Sequence, residues 1–369
     1  MPRPCSKLIL VALLLSFVGS GTRAQSWKIL VTGVDTNLRG ISAAKIVSTD
    51  HIAIWAAGSH GIVLRSVDDG ASWNRVDIPG RPDLDFRGIV AFDENTAYLM
   101  ASGEGQKSRI YKTTNGGTLW ELQYTDLNKS FFLDSIACVS PTKCFALGDP
   151  LSGPSGHAEG QSDARFLILQ TSDGRRWNPL PPQNLPTALP KEGAFAASNS
   201  NLLAISESEL FVVTGGFAAR VIHTVDAGKT WTASAAPIAA DNASSGIFAI
   251  ARAGENHFVV VGGDYTNPLV ALRIAAASTD GTKSWTAALQ QPTGYRSAVV
   301  VVSPGASPDA QALLAVGPTG ADTSPDSGLH WNSFASKPLN ALFALDEFHI
   351  YAVGPNGAIN QFVLPEPKQ

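Results

Sequence analysis

The sequence predicts an all-β fold: a seven-bladed β-propeller built from four-stranded antiparallel blades. Three observations predict it. Seven of the eight tryptophans recur at a nearly constant interval, six of those seven close the same short motif, and each motif sits inside the same run of short apolar strands.

The seven tryptophans are Trp27, Trp73, Trp120, Trp177, Trp231, Trp285 and Trp331, separated by 46, 47, 57, 54, 54 and 46 residues. A period near 50 marks a repeat array, in which one supersecondary unit is stacked against its neighbours. The motif is Ser/Thr-x-Asp-x-Gly-x-x-Trp, as in Ser66-Val67-Asp68-Asp69-Gly70-Ala71-Ser72-Trp73, with Asn115, Asp226 and Asp326 in the acidic place of later copies. Each fixed position answers a physical need. The carboxylate or amide oxygen accepts backbone N–H groups inside the turn, the glycine supplies a positive φ, and the indole packs beneath the hairpin. Two copies are degraded: Ser172 stands in the acidic place before Trp177, and after Asp280 the glycine, Gly281, comes one position early before Trp285. Six copies at one spacing assign these acids to structure rather than to metal binding or catalysis.

The strands follow. In the first unit Arg39-Gly40-Ile41 opens a strand, Ala53-Ile54-Trp55-Ala56-Ala57-Gly58 forms a second, and Gly61-Ile62-Val63-Leu64-Arg65-Ser66 forms a third that runs into the motif. A fourth follows Trp73. Matching second strands recur at Ala97-Tyr98-Leu99-Met100, Cys144-Phe145-Ala146-Leu147, Leu210-Phe211-Val212-Val213, His257-Phe258-Val259-Val260, Ala312-Leu313-Leu314-Ala315 and Ile350-Tyr351-Ala352-Val353, which makes seven blades. The last repeat ends after three strands. Trp27-Lys28-Ile29-Leu30-Val31 is therefore expected to complete it, joining both chain ends in one sheet and removing exposed edges. One propeller domain over residues 25–369 results, and a monomer is expected.

Composition narrows the function. The chain has 369 residues, a formal net charge of −4 and a pI near 6.0, with no basic block, which argues against nucleic-acid binding through phosphate neutralisation. Residues 1–24 read as an export signal: Arg3 and Lys7, then an apolar run over 8–19, then Thr22-Arg23-Ala24. That run is shorter than the roughly 20 residues a transmembrane helix needs. Cys5 precedes the apolar run, a poor position for a lipid anchor. The mature chain is expected in the periplasm or outside the cell, without a transmembrane segment. Its two remaining cysteines, Cys138 and Cys144, flank a Ser-Pro-Thr-Lys turn and are expected to form a hairpin disulfide, contributing about 2 kcal/mol through so short a loop. No cofactor or metal is expected. His157, Glu159 and Asp163, in a Gly/Ser-rich insertion over 149–163, are weak grounds for a metal site.

The motifs at this period resemble the Asp-box, or BNR, repeat of sialidases and other secreted propellers. Gly58-Ser59-His60-Gly61-Ile62-Val63, a Gly-x-x-Gly-x-Ile/Val phrase ahead of a box, is more similar to the photosystem II stability and assembly factor family. Fold does not determine function, so the site must be argued from side chains. Aligned at the start of the innermost strand, the blades read Arg39, Arg87, Asp134, Glu192, Ser245, Arg296 and Asn340, each followed by a small residue. Arg39, Arg87 and Arg296 would form a basic mouth. The resemblance implies an arginine-rich surface that holds a partner protein, although Asp134 and Glu192 break a purely basic patch.

Three readings remain open. The preferred one is an exported, non-catalytic propeller that binds a protein partner of the cell envelope. A glycoside hydrolase acting on a glycan is the second, with Asp134 and Glu192 as the carboxyl pair. Phe86-Arg87-Gly88-Ile89 only approaches the Phe/Tyr-Arg-Ile-Pro phrase of sialidases, lacking its proline. A structural surface module is the third.

Overall fold

The computed structural model of the protein describes residues 25–151, 163–305 and 310–364. Residues 1–24, read above as an export signal, with Cys5, and the insertion residues His157 and Glu159 lie outside them.

Seven antiparallel sheets make seven blades, all-β as expected. Numbering strands outward from the channel, blade 1 comprises Leu38–Lys45, Ile52–Gly58, Val63–Ser66 and Asn74–Arg75. Blade 2 runs from Asp85–Ala91 to Glu121–Thr125, and blade 3 from Leu133–Ser140 to Asn178–Pro179. Blade 4 runs from Leu202–Ala204 to Thr232–Ala235, blade 5 from Ser245–Arg252 to Thr286–Ala287, and blade 6 from Ala298–Pro304 to Asn332–Ala335. Blade 7 has Ala341–Ala344, Ile350–Val353 and Ile359–Val363 from the C-terminal end of the chain and Ser26–Leu30 from the other. The inner strands of successive blades touch, and that of blade 7 touches that of blade 1, so the ring closes.

Burial explains the strand sequences. The second strands are apolar at consecutive positions because neighbouring blades cover both of their faces; Ile52–Gly58 and Leu210–Val213 are buried throughout. The outermost strand of blade 1, Asn74–Arg75, is exposed and polar. Closure has its own core. Trp27 lies 5.7 Å from Phe334 and 5.4 Å from Phe362, ring centre to ring centre, and Trp27 is paired with Phe362 in the sheet. Cys138 and Cys144 face each other across the first two strands of blade 3 and are disulfide-bonded.

The box turns share one hydrogen-bond pattern. Ser66 Oγ donates to Asp68 Oδ1 at 2.7 Å, the Ser72 N–H donates to the same oxygen at 2.9 Å, and the Gly70 N–H donates back to Ser66 Oγ at 2.9 Å. Asn115, Asp226, Asp280 and Asp326 repeat it. The hydroxyls of Ser72, Thr230 and Ser284, which donate to the second carboxyl oxygen, followed by these bonds, hold the carboxyls of Asp68, Asp226 and Asp280 down at about 2. One sequence expectation for the boxes is corrected. In blade 3 the acidic place belongs to Asp173, not Ser172: Thr171 Oγ1 donates to Asp173 Oδ1, and the loop is one residue shorter, so counting back from Trp177 misses it. In blade 5 the turn still needs two consecutive left-handed residues. Gly281 (φ 73°) takes the first place, leaving Thr282 (φ 70°) in the second, where the other full-length boxes have glycine. The indoles also reach further than their own turns. Those of Trp120, Trp177, Trp231 and Trp285 donate to Val76 O, Gln123 Oε1, Asn184 O and Ser234 Oγ, tying each blade to the one before it.

Candidate functional site

By the order of the strands, the boxes lie at one end of the channel and the starts of the innermost strands at the other. At that second end a cavity of about 490 Å³ opens, bounded by residues from every blade but the fourth, in whose place stand residues 194–197. Bulges in the inner strands aim the lining. In blades 1, 2, 3 and 5 the pairing skips one residue: Arg39, Arg87, Asp134 and Phe248 respectively. A bulged residue leaves the ladder and its side chain is re-aimed, here toward the cavity that all four line.

The floor was not visible in the sequence. Between Glu192–Gly193 and Leu202–Ala204, residues 194–201 cross the channel instead of entering blade 4 directly. Arg87 Nη1 donates to Ala196 O at 2.9 Å, and Arg39 Nη2 approaches Ala197 O at 3.4 Å. Asn199 pairs with the Ile136 backbone of blade 3 through both amide atoms, and Ser198 Oγ donates to Ser297 O of blade 6 at 2.5 Å. The segment therefore bonds to blades 1, 2, 3 and 6 and plugs the channel, with a separate, more apolar cavity beyond it. Phe195 lies flat on Phe248, centroids 4.1 Å apart, with Tyr295 edge-on to Phe248. Glycine makes the room: a Cβ on Gly215 would lie 2.0 Å from the Phe195 ring.

The lining divides by chemistry. Blades 1 and 2 contribute Arg39 and Arg87; blade 3 contributes Asp134 and Asp149; the plug and blade 5 contribute Phe195, Phe248 and Tyr265. Asp85 Oδ2 accepts from Arg87 Nε at 2.8 Å. Burial, followed by the neighbouring Arg87, pulls the Arg39 guanidinium down from its ordinary value, and Arg39 Nε has no hydrogen-bond partner among the described residues. Asp134 is fully buried with neither carboxyl oxygen bonded among the described residues, and burial, then Asp149, pushes it well up. Asp149 is also raised by burial, though the Ala194 N–H donates to its Oδ1 at 3.1 Å.

Of the seven residues aligned from sequence, Arg39, Arg87, Asp134 and Asn340 line this cavity. Three do not. Arg296 is fully buried one register earlier: its N–H donates to Gly262 O just as the Leu38 N–H donates to Gly354 O, so Ser297 occupies the channel position. Its guanidinium is consumed by Asp322, Thr293, Thr319 and Tyr295 O. Glu192 is likewise consumed, accepting from Arg220 Nε at 2.8 Å, Thr214 Oγ1 at 2.6 Å and the Leu189 N–H at 2.7 Å. Asp134 and Glu192 therefore do not face one another across the cavity. In blade 5 the place of Ser245 is taken by Phe248, three residues on. The missed residues were Asp149, Phe195, Phe248, Tyr265 and Tyr295, of which only the Asp149 insertion carried any sequence signal.

A family model described as photosynthesis system II assembly factor YCF48 matches residues 20–136, the stretch through blades 1 and 2 into blade 3. A curated relative, photosystem II assembly lipoprotein Ycf48 of Synechococcus sp. (strain CC9902), is 37% identical over 76 residues, 20% of this chain and 20% of its own. The chain resembles the photosystem II assembly factors. The match spans about one fifth of that curated relative's length. Two solved structures extend the likeness at the level of fold. YCF48 bound to D1 peptide superposes with a TM-score of 0.61 at 13% identity, covering 92% of this chain and 97% of its own. YCF48 from Cyanidioschyzon merolae gives 0.59 at 16%, covering 91% and 98%. Among the described residues no helix is long and apolar enough to cross a membrane.

Proposed function

We propose that this protein is an exported assembly factor that binds a carboxylate-bearing segment of a client protein in the channel-mouth cavity, without catalysing a reaction. The observation that carries the reading is the pairing of Arg39 and Arg87 beside an aromatic wall in one plugged cavity. A guanidinium pulled down by burial and by a second guanidinium gains most from an incoming anion, because the anion offsets both effects. The rings of Phe195, Phe248 and Tyr265 offer apolar area next to that charge, the usual make-up of a peptide-binding hot spot. The resemblance to the assembly factors supports the same reading, and one structural neighbour is YCF48 bound to D1 peptide. Export is supported by the residues of segment 1–24 and by the Cys138–Cys144 bond, which suits an oxidising compartment.

Arg39→Gln and Arg87→Gln test it. Each is expected to weaken binding of an acidic peptide, measured by calorimetry, about tenfold, as suits the loss of one charge-assisted contact, with the double variant weaker still. Unchanged affinity in the double variant would falsify the reading. Arg296, bonded on all sides, does not belong in that set.

A further inference from the structure

We infer that the blade 3 side of the same cavity is a second subsite, which takes an ammonium or guanidinium group of the bound segment, so that the protein selects a ligand carrying both charges. The inference rests on the function proposed above and adds to it the opposite pole. Asp134 is 0% exposed, lines the cavity and has no partner for either carboxyl oxygen among the described residues, although hydroxyls and backbone N–H groups meet the box carboxylates. A buried carboxyl left without donors is costly, so such groups in folded proteins are paired, hydrated or complemented by a ligand. Asp149 stands on the adjoining strand of the same blade, and its charge is felt at Asp134. Two acids in one desolvated corner repel; a cation between them relieves both.

The neighbouring cation does not fill that role. Arg87 is the basic group whose charge reaches Asp134, but its Nε is bonded to Asp85 and its Nη1 to Ala196 O. Arg39 carries the mirror-image deficit, a buried Nε without an acceptor. One cavity thus holds an unanswered donor on blade 1 and an unanswered acceptor on blade 3. A zwitterionic segment answers both, with its aliphatic stem lying along Phe195 and Phe248.

The test uses acetylated pentapeptides with a free terminal carboxylate, carrying one lysine walked across the three positions before the terminus, each matched by a norleucine peptide of the same length. Calorimetry is run on the native protein, Asp134→Asn and Asp149→Asn, with thermal unfolding confirming that each variant folds. At least one lysine peptide is expected to bind about tenfold tighter than its norleucine partner, and that preference is expected to disappear in Asp134→Asn and to shrink in Asp149→Asn. Equal binding of all lysine and norleucine pairs overturns the inference, as does a preference that survives both variants. If norleucine peptides bind in an Arg39-dependent way with no lysine preference, only this subsite falls. If no peptide binds at all, the carboxylate site falls with it.

Discussion

Single residues at the channel mouth show how one type of side chain is put to opposite uses. Asp68 and Asp134 are both aspartates on a hairpin propeller, yet donors hold one carboxyl at about 2 while burial drives the other well up. The consequences for stability have opposite signs. Asp134 binds its proton more tightly in the folded protein than in the unfolded chain. Its contribution is therefore fully present below the ordinary aspartate value near 4 and is lost as pH rises through the raised folded value. Asp149 and Arg87 are the charged groups that face it, the first opposing ionisation and the second favouring it. Asp134→Asn, which removes the ionisation at nearly constant shape, should stabilise the protein at pH 8–9 by about 1 kcal/mol, the scale of one unsatisfied buried group, with no gain at pH 4 or below. Urea midpoints measured across that range check it, and a gain that is constant with pH would show that the Asp134 carboxyl binds its proton equally in the folded and the unfolded chain. Arg296 illustrates the limit of reading a site residue by residue. Its identity matches Arg39 and Arg87, but a register one position earlier sends it into the blade, where Asp322 neutralises it.

At the scale of elements, the boxes were legible and the plug was not, for a physical reason. A box is a local object: its acid, hydroxyl, glycine and indole lie within eight residues, so spacing alone exposes it, and even Asp173 is found once a one-residue deletion is allowed. Residues 194–201 are defined instead by distant partners on blades 1, 2, 3 and 6, and nothing within the segment repeats. The inner-strand alignment failed at the same place. The polar-then-small pattern selects Ser245-Gly246, whereas Gly215 is small because the Phe195 ring presses on it, and Gly246 because the Gly215 backbone does. Gly215→Ala tests that account. Its methyl group would stand 2.0 Å from a ring carbon, so Phe195 must leave its stack on Phe248. The variant should lose about 1–3 kcal/mol, the usual cost of overpacking, and should bind acidic peptide more weakly because the plug also positions Ala196 and Ala197 against the arginines. Pairing it with Phe195→Ala should recover much of the lost stability, since the collision partner is gone. Failure of that rescue in thermal unfolding would mean the glycine serves backbone geometry instead.

Across the whole molecule, what makes seven locally folded sheets one object is the strand supplied by the opposite end of the chain. Blade 7 pairs Ser26–Leu30 with Ile359–Val363, so the ring cannot close until residues more than 300 apart meet. That closure was readable from the missing fourth strand after Leu364, because an unpaired strand edge is costly and Trp27 stood without a blade of its own. The structure adds where its energy lies. The Trp27 ring wedges between Phe334 of blade 6 and Phe362 of blade 7, and Leu30 lies beneath the Gly70 turn of blade 1, so five residues join three blades. Trp27→Ala should therefore act on cooperativity as well as on stability. We expect a loss of about 3 kcal/mol, the scale of a large aromatic ring removed from a packed site. The loss should fall on the unfolding rate, because a contact between the two chain ends carries the largest loop-closure cost and forms late. Hydrogen exchange should locate the change in Ile359–Val363 and Asn332–Ala335, leaving Ile52–Gly58 and Ala97–Ser102 protected as before. If instead protection fell evenly around the ring, the propeller would open as a single unit and blade 7 would not be its latch. The cavity at the mouth, lined from six of the seven blades, would then share the stability of the ring as a whole rather than that of its closing strand.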